Sequence, residues 1–155
     1  IASEYPSLRL LFLGPINEKY KQELLILAKP ITDRVVFLGS LHPIREQLAI
    51  ANLYAAASLS VSIGSWEGLP TRVLESLAQG TPVVAYDSGA CSSLIKDGYN
   101  SYIISDLNEM RLAEKITAYM SLSATDRSML CRRALDSVKN YAWKEKFEAI
   151  NDIYS

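Results

Sequence analysis

Two carboxylates, Glu67 and Glu75, stand with seven residues between them, the intervening run being Gly68-Leu69-Pro70-Thr71-Arg72-Val73-Leu74. The segment lies between an apolar run, Leu59 to Ile63, and a second one, Pro82 to Tyr86. It must therefore join two buried strands through a helix, and a strand-to-helix loop is where open α/β sheets bind ligands. Pro70 suits the first helical position, because its missing N–H would have no intrahelical partner and its fixed φ matches the turn. Gly68 and Leu69 then present backbone N–H groups at the positive end of a helix dipole, a mouth that selects an anion, typically phosphate. Counted from Pro70, Glu75 lies about five residues into the helix, on the face of Thr71 and Ala78, roughly 7 to 8 Å along the axis. Glu67 lies on the loop before it. Acceptors on both sides of a phosphate site suit a ligand with hydroxyls on both sides of a phosphate, and a nucleotide sugar has that layout.

The elements that must position this segment follow from apolar patterning. Strand-like runs occur at Leu8 to Leu13, Arg34 to Leu38, Leu59 to Ile63, Pro82 to Tyr86 and Ser101 to Ile104. Each is short and apolar nearly throughout, which suits a sheet covered on both faces. Helical patterns fall between them near Asn17 to Ala28, Ile44 to Ala56, Pro70 to Ala78 and Ala90 to Lys96. The tail reads as helices at Asn108 to Met120, Thr125 to Asn140 and Trp143 to Tyr154, the second capped by Ser123 or Thr125. This alternation predicts an α/β fold, a Rossmann-like doubly wound parallel sheet of about five strands flanked by helices.

Composition sets the outer limits. A chain of 155 residues, 49% hydrophobic, forms one domain, residues 1–155, that buries roughly 68 to 70% of its unfolded surface. With 16 basic and 17 acidic residues and a net charge of -1, nothing draws it to nucleic acid or to an anionic membrane. Cys91 and Cys131 stand without Cys-x-x-Cys spacing or histidine company, so neither a zinc site nor a disulfide framework is expected. A reducing, cytoplasmic setting fits that usage. No stretch approaches the ~20 apolar residues of a membrane helix, and no charged and apolar leader opens the chain.

The string Ser65-Trp66-Glu67-Gly68-Leu69-Pro70, followed by Glu75-Ser76-Leu77-Ala78-Gln79-Gly80-Thr81-Pro82-Val83-Val84-Ala85, resembles the C-terminal, donor-binding domain of retaining GT-B glycosyltransferases of family 4. Tyr5 to Gly14, Val35 to Gly39, Leu53 to Leu59, Ser88 to Gly98 and Tyr141-Ala142-Trp143 resemble further landmarks, so nearly the whole chain is covered. The resemblance implies a hexosyltransferase that uses a UDP- or GDP-sugar with retention and acts on a saccharide or lipid-linked acceptor, in polysaccharide or glycoconjugate synthesis. It implies that Glu75 binds the ribose hydroxyls and that Glu67 faces the transferred sugar as the catalytic carboxylate. The backbone of Gly68, Leu69, Pro70 and Thr71 would hold the diphosphate. Ser40 and Leu41 would lie along the base, and Gly14 would leave room near the phosphates. The metal-chelating Asp-x-Asp triplet of the other large transferase fold is absent from the sequence, so no metal and no cofactor besides the nucleotide sugar are expected.

Departures from the pattern carry expectations of their own. Family members open this domain with a strand and a loop whose arginine and lysine neutralise the diphosphate, and no such segment precedes Ile1. The expectation is a piece of a longer protein, inactive alone, whose N-terminal domain binds the acceptor and provides any peripheral association with a membrane. Ile63-Gly64 stands where Pro-Ser is common, and Ser93 where an acidic residue is common. In the usual strand order the first strand is central. Leu8 to Leu13 and Leu59 to Ile63 must then pair directly, be bridged by another chain, or leave a gap that strands unpaired N–H and C=O groups.

The remaining candidates read as structural. His42, the sole histidine, precedes Pro43 and reads as a turn residue. Arg72 reads as an exposed first-turn arginine and Asp97-Gly98 as a turn; the rival reading of Gly68, a turn glycine needing positive φ, is compatible with phosphate binding. Gly39 suits either a close approach by a base or a strand-end turn, and Gly89-Ala90 either phosphate proximity or a helix start. Trp66 suits stacking on a sugar or packing on the sheet edge. Tyr141, Phe147 and Ile150 read as core, with docking on the N-terminal domain as the alternative. Two rivals stay open: a nucleotide-sugar epimerase of this architecture, and a non-catalytic assembly domain, which a solvent-sealed cleft at Gly68 would favour.

Overall fold

The computed structural model describes residues 1, 3–43, 45–64, 68, 70–142, 146 and 147. Its contacts divide the chain into two compact units, Ile1–Ile50 and Ala51–Ser155. The first holds strand β1 (Leu10–Leu13), helix α1 (Glu18–Leu27), a 3-10 segment Lys29–Arg34 and strand β2 (Val35–Gly39), and helix α2 (Gln47–Ala56) crosses the boundary. The second holds β3 (Ser60–Ser62), α3 (Thr71–Ala78), β4 (Val83–Tyr86), α4 (Cys91–Leu94), β5 (Tyr102–Ile104), α5 (Glu109–Met120), α6 (Ala124–Ser137) and a 3-10 turn Lys139–Tyr141.

All five expected strands form, four of them a little shorter than their apolar runs and β2 shifted by one residue, and every pairing is parallel. They make two sheets, β1-β2 and β3-β4-β5, where the sequence suggested one. Direct pairing of the Leu8 to Leu13 run with the Leu59 to Ile63 run is therefore not found in these ladders.

In the second unit β4 is covered on both faces, as expected, whereas Val61 of β3 is 42% exposed. The four residues of β4 are all buried. Alternate residues point opposite ways: Val83 and Ala85 join Val73, Leu77, Leu94 and Ala134, while Val84 and Tyr86 join Tyr102, Tyr119 and Leu130. The first unit corrects the expectation. Phe12 and Phe37 stack at 4.9 Å with Lys21 of α1 above Phe37, but Leu11, Leu13, Val36 and Leu38, on the other face, are 51, 41, 36 and 39% exposed. An apolar strand requires cover on both faces, and residues 1–50 supply it on one.

Caps define the helix ends. Asn17 accepts from Tyr20 N at 2.7 Å and Asn108 accepts from Met110 N and Arg111 N. Of the two cap candidates for α6, Ser123 is the one used, accepting from Asp126 N at 3.1 Å. Helix α3 ends in a Schellman motif: Gly80 N donates to Leu77 O at 2.9 Å and Thr81 N to Ser76 O at 3.0 Å, with Gly80 at φ +72. Asp97-Gly98 is a turn with a further task. Asp97 accepts from Ile103 N and pairs with Lys115 at 2.8 Å, tying α5 to the approach to β5. The core reading of Tyr141 and Phe147 is corrected: they are 39 and 59% exposed. Ile150, with most of the predicted last helix, lies outside the described residues.

Tyr119 makes a long-range tie. Its ring is buried and its phenol donates to Ser58 O just before β3. Burial, chiefly, pushes the phenol up to about 12 from an ordinary 10.0. The folded state therefore holds this proton more tightly than the unfolded one, so the group's stabilising contribution is complete below pH 10 and disappears as pH rises toward 12. Tyr119→Phe is expected to cost about 1–3 kcal/mol at neutral pH in urea unfolding, by stranding the Ser58 carbonyl, and to flatten the loss of stability between pH 10 and 12.

Candidate functional site

Helix α3 carries the second unit's share of the site. At eight residues it is too short to persist by propensity, and it is held by burying Val73, Ser76 and Leu77. That fixes the opposite face, with Thr71, Arg72 and Glu75, toward solvent. The helix begins one residue later than expected: Pro70 occupies the cap, at φ -75 and ψ 86, and Thr71 is the first helical residue. The Pro70 carbonyl accepts from Val73 N at 3.0 Å and Leu74 N at 3.1 Å. First-turn N–H groups lie beyond intrahelical pairing, so the mouth of α3 keeps the donors that an anion requires.

Gly68 is exposed, and a Cβ built on it would meet nothing within 4 Å. Its φ lies outside the left-handed region, contrary to the turn-glycine reading. The position is open, not strained. Its carbonyl accepts from Ala90 N at 3.1 Å, which brings the loop after β4 against the mouth of α3. Gly89 in that loop adopts φ +58, and Ser93, one turn on, bonds Ala90 O at 2.7 Å.

Glu75 lies one turn beyond the mouth. Burial raises its carboxyl above the ordinary value and Arg72 opposes that rise. Tyr54, half-buried at the end of α2, is raised first by burial and then by Glu75, with Arg72 again opposing. The three side chains thus sense one another's charge. Tyr54 was no sequence candidate, since its proximity to Glu75 comes from long-range folding. The tie that creates it is a Thr81 Oγ1 to Tyr54 O bond of 2.6 Å.

The first unit places Gly14, Ser40 and Leu41 together. Gly14 follows β1 and Gly39 ends β2, at φ +127 and +72, and Gly14 N donates to Gly39 O at 2.8 Å. Neither glycine would bring a Cβ within 4 Å of another group. Ser40 and Leu41 continue from that junction, at the carboxyl ends of parallel strands where ligands of such sheets lie. Gly14, Ser40 and Leu41 belong to one unit and Gly68, Pro70, Thr71 and Glu75 to the other. Glu67, Leu69 and Trp66 lie outside the described residues.

His42 has the turn role expected of it. Its Nδ1 accepts from Arg45 N at 3.2 Å while Glu46 reaches back to His42 N at 2.6 Å, a reciprocal cap before α2. Cys91 is buried and Cys131 half-buried, both as free thiols. Among the described residues no group of three or more His, Cys, Asp or Glu side chains could hold a metal ion.

Comparison with known proteins gives this geometry a setting. Residues 1–134 match the family Glycosyl transferases group 1. The lipopolysaccharide core biosynthesis mannosyltransferase LpsB of Rhizobium meliloti is 32% identical over 130 residues, 80% of this chain and 34% of that protein. Spore coat protein SA of Bacillus subtilis is 26% identical, over 99% of this chain and 42% of its own length. The chain thus spans about a third to two-fifths of these relatives. Among solved structures, Anabaena Alr3699/HepE in complex with UDP-glucose superposes with a TM-score of 0.80 at 20% identity, covering 96% of this chain and 41% of that one. The C-terminal domain of a glycosyl transferase group 1 family protein (LpcC) from Francisella tularensis gives 0.77 at 22% identity, covering 90% and 72%.

Proposed function

Since the chain belongs to the Glycosyl transferases group 1 family and has the fold of a GT-B donor-binding half, we propose that it binds the nucleotide-sugar donor of a retaining hexosyltransferase. The donor is a UDP- or GDP-hexose and the acceptor a saccharide or a lipid-linked sugar. One arrangement carries this reading: an exposed, uncrowded Gly68 at the mouth of α3, with Glu75 one turn behind it. The mouth receives the diphosphate and stabilises its growing charge as the sugar leaves, which is electrostatic catalysis by prepositioned donors. Glu75 takes the ribose hydroxyls, Ser40 and Leu41 line the base, and Glu67 faces the sugar. No metal is needed in this scheme. A domain elsewhere in the polypeptide supplies the acceptor site, and the protein works on the cytoplasmic side.

The open surface at Gly68 also speaks against a vestigial assembly domain, whose expected mark was a sealed cleft. The test is calorimetry of this chain with UDP and GDP. Weak binding of one of them, without turnover of the matching nucleotide sugar, is the expected result. Absence of heat with both overturns the reading.

A further inference from the structure

The last turn of α2 is fastened to the turn of α3 that carries Glu75. Thr81 Oγ1 donates to Tyr54 O at 2.6 Å. Thr81 is in turn held to Ser76, the neighbour of Glu75, by Ser76 Oγ donating to Thr81 O at 2.9 Å and Thr81 N donating to Ser76 O at 3.0 Å. Ser76 and Thr81 are buried, so this brace is shielded from competing water. It sets a half-buried phenol beside a solvent-facing carboxylate and a guanidinium, in electrostatic reach of both. The Tyr54 hydroxyl makes no hydrogen bond among the described residues, whereas the buried phenol of Tyr119 does. A partly desolvated hydroxyl without a hydrogen-bond partner among the described residues has capacity to bond a ligand.

We propose that Tyr54 is a further ligand-binding residue of this site, its phenol bonding one hydroxyl of a vicinal diol whose other hydroxyl donates to Glu75. The chemistry is complementary. A carboxylate only accepts, so it cannot satisfy a hydroxyl's own lone pairs. A neutral phenol can donate to them. Burial and the Glu75 charge both favour the protonated, donating form of Tyr54. The proposal rests on the nucleotide reading of Glu75, since the diol in question is the ribose 2′,3′ pair.

The test compares UDP and GDP with their 2′,3′-dideoxy counterparts, by calorimetry on the wild-type chain, Tyr54→Phe and Glu75→Gln. Phenylalanine keeps the ring, and far-UV circular dichroism verifies the fold. Tyr54→Phe is expected to weaken the diol-bearing nucleotide about 3- to 10-fold, the worth of one net hydrogen bond, and to leave the dideoxy nucleotide unchanged. Equal weakening of both marks a packing role and overturns the proposal, as does no change in either. If Glu75→Gln abolishes discrimination between the two nucleotides while Tyr54→Phe preserves it, Tyr54 is excluded and the reading of Glu75 stands. If the wild-type chain binds neither UDP nor GDP, both fall together.

Discussion

Leu77→Ala is expected to destabilise the unit formed by residues 51–155 by about 2–5 kcal/mol, the cost of emptying a fully buried leucine site. Leu77 is 0% exposed and packs with Val73, Val83, Ala85 and Ala134, so three elements, α3, β4 and α6, lose contact atoms together. The loss compares with the ~5–15 kcal/mol that holds a typical domain folded. Its consequence reaches the site, because α3 stays helical through the packing of Val73, Ser76 and Leu77. Loosening that face frees the opposite one, where Glu75 sits. Leu107→Ala, at a position 69% exposed, is the control and should shift stability by less than ~0.5 kcal/mol. Urea unfolding followed by circular dichroism reads both. A loss below ~1 kcal/mol at Leu77 would mean that the core around α3 is not the support described.

What the sequence disclosed and what it withheld divide along physical lines. Helix α3 and strand β4 were legible because each satisfies its own period and its neighbours' at once. Val73, Ser76 and Leu77 recur at helical spacing, and β4, apolar throughout, requires cover on both sides and has it. Gly80 ends α3 because only a glycine takes φ +72 easily in a Schellman cap. The Lys29–Arg34 3-10 segment was missed. Pro30 near its start removes a donor and interrupts the helical pattern, so the local signal reads as a plain break. The apolar runs of β1 and β2 were misread for another reason: hydrophobicity says that a strand face requires cover, never which residues provide it. Leu11 and Val36, partners across that ladder, face solvent together. At Gly68 only the rival reading, a positive-φ turn glycine, fails, because openness and positive φ call for the same residue. The long-range ties of Tyr54 and Asp97 were invisible. Both act through partners 18 or more positions away, Lys115 for Asp97 and Thr81, 27 residues on, for Tyr54. Separations of that size leave no mark in local periodicity.

The largest functional effect is expected at Glu75. Glu75→Ala should weaken UDP or GDP by about 10- to 100-fold, since hydrogen bonds to a charged acceptor are worth about 1.5–3 kcal/mol each. Glu75→Gln, which keeps an acceptor but not the charge, should fall between. The pH dependence sharpens the claim. Burial raises this carboxyl above the ordinary value despite Arg72. Affinity should therefore fall with decreasing pH earlier than an unperturbed glutamate would dictate, because the protonated acid offers one acceptor fewer. Arg72→Gln removes the cation that opposes the rise, so the midpoint should move to still higher pH. Stability of the unliganded chain should run the other way. A raised folded-state pKa means the folded protein holds this proton more tightly than the unfolded one, so the group's contribution is complete at low pH and declines as pH rises through the same range. Calorimetric titrations and urea midpoints across that range would separate the two trends. Stability that rises with pH through that range would overturn the raised carboxyl, and an affinity that does not change with pH would remove Glu75 from the binding site.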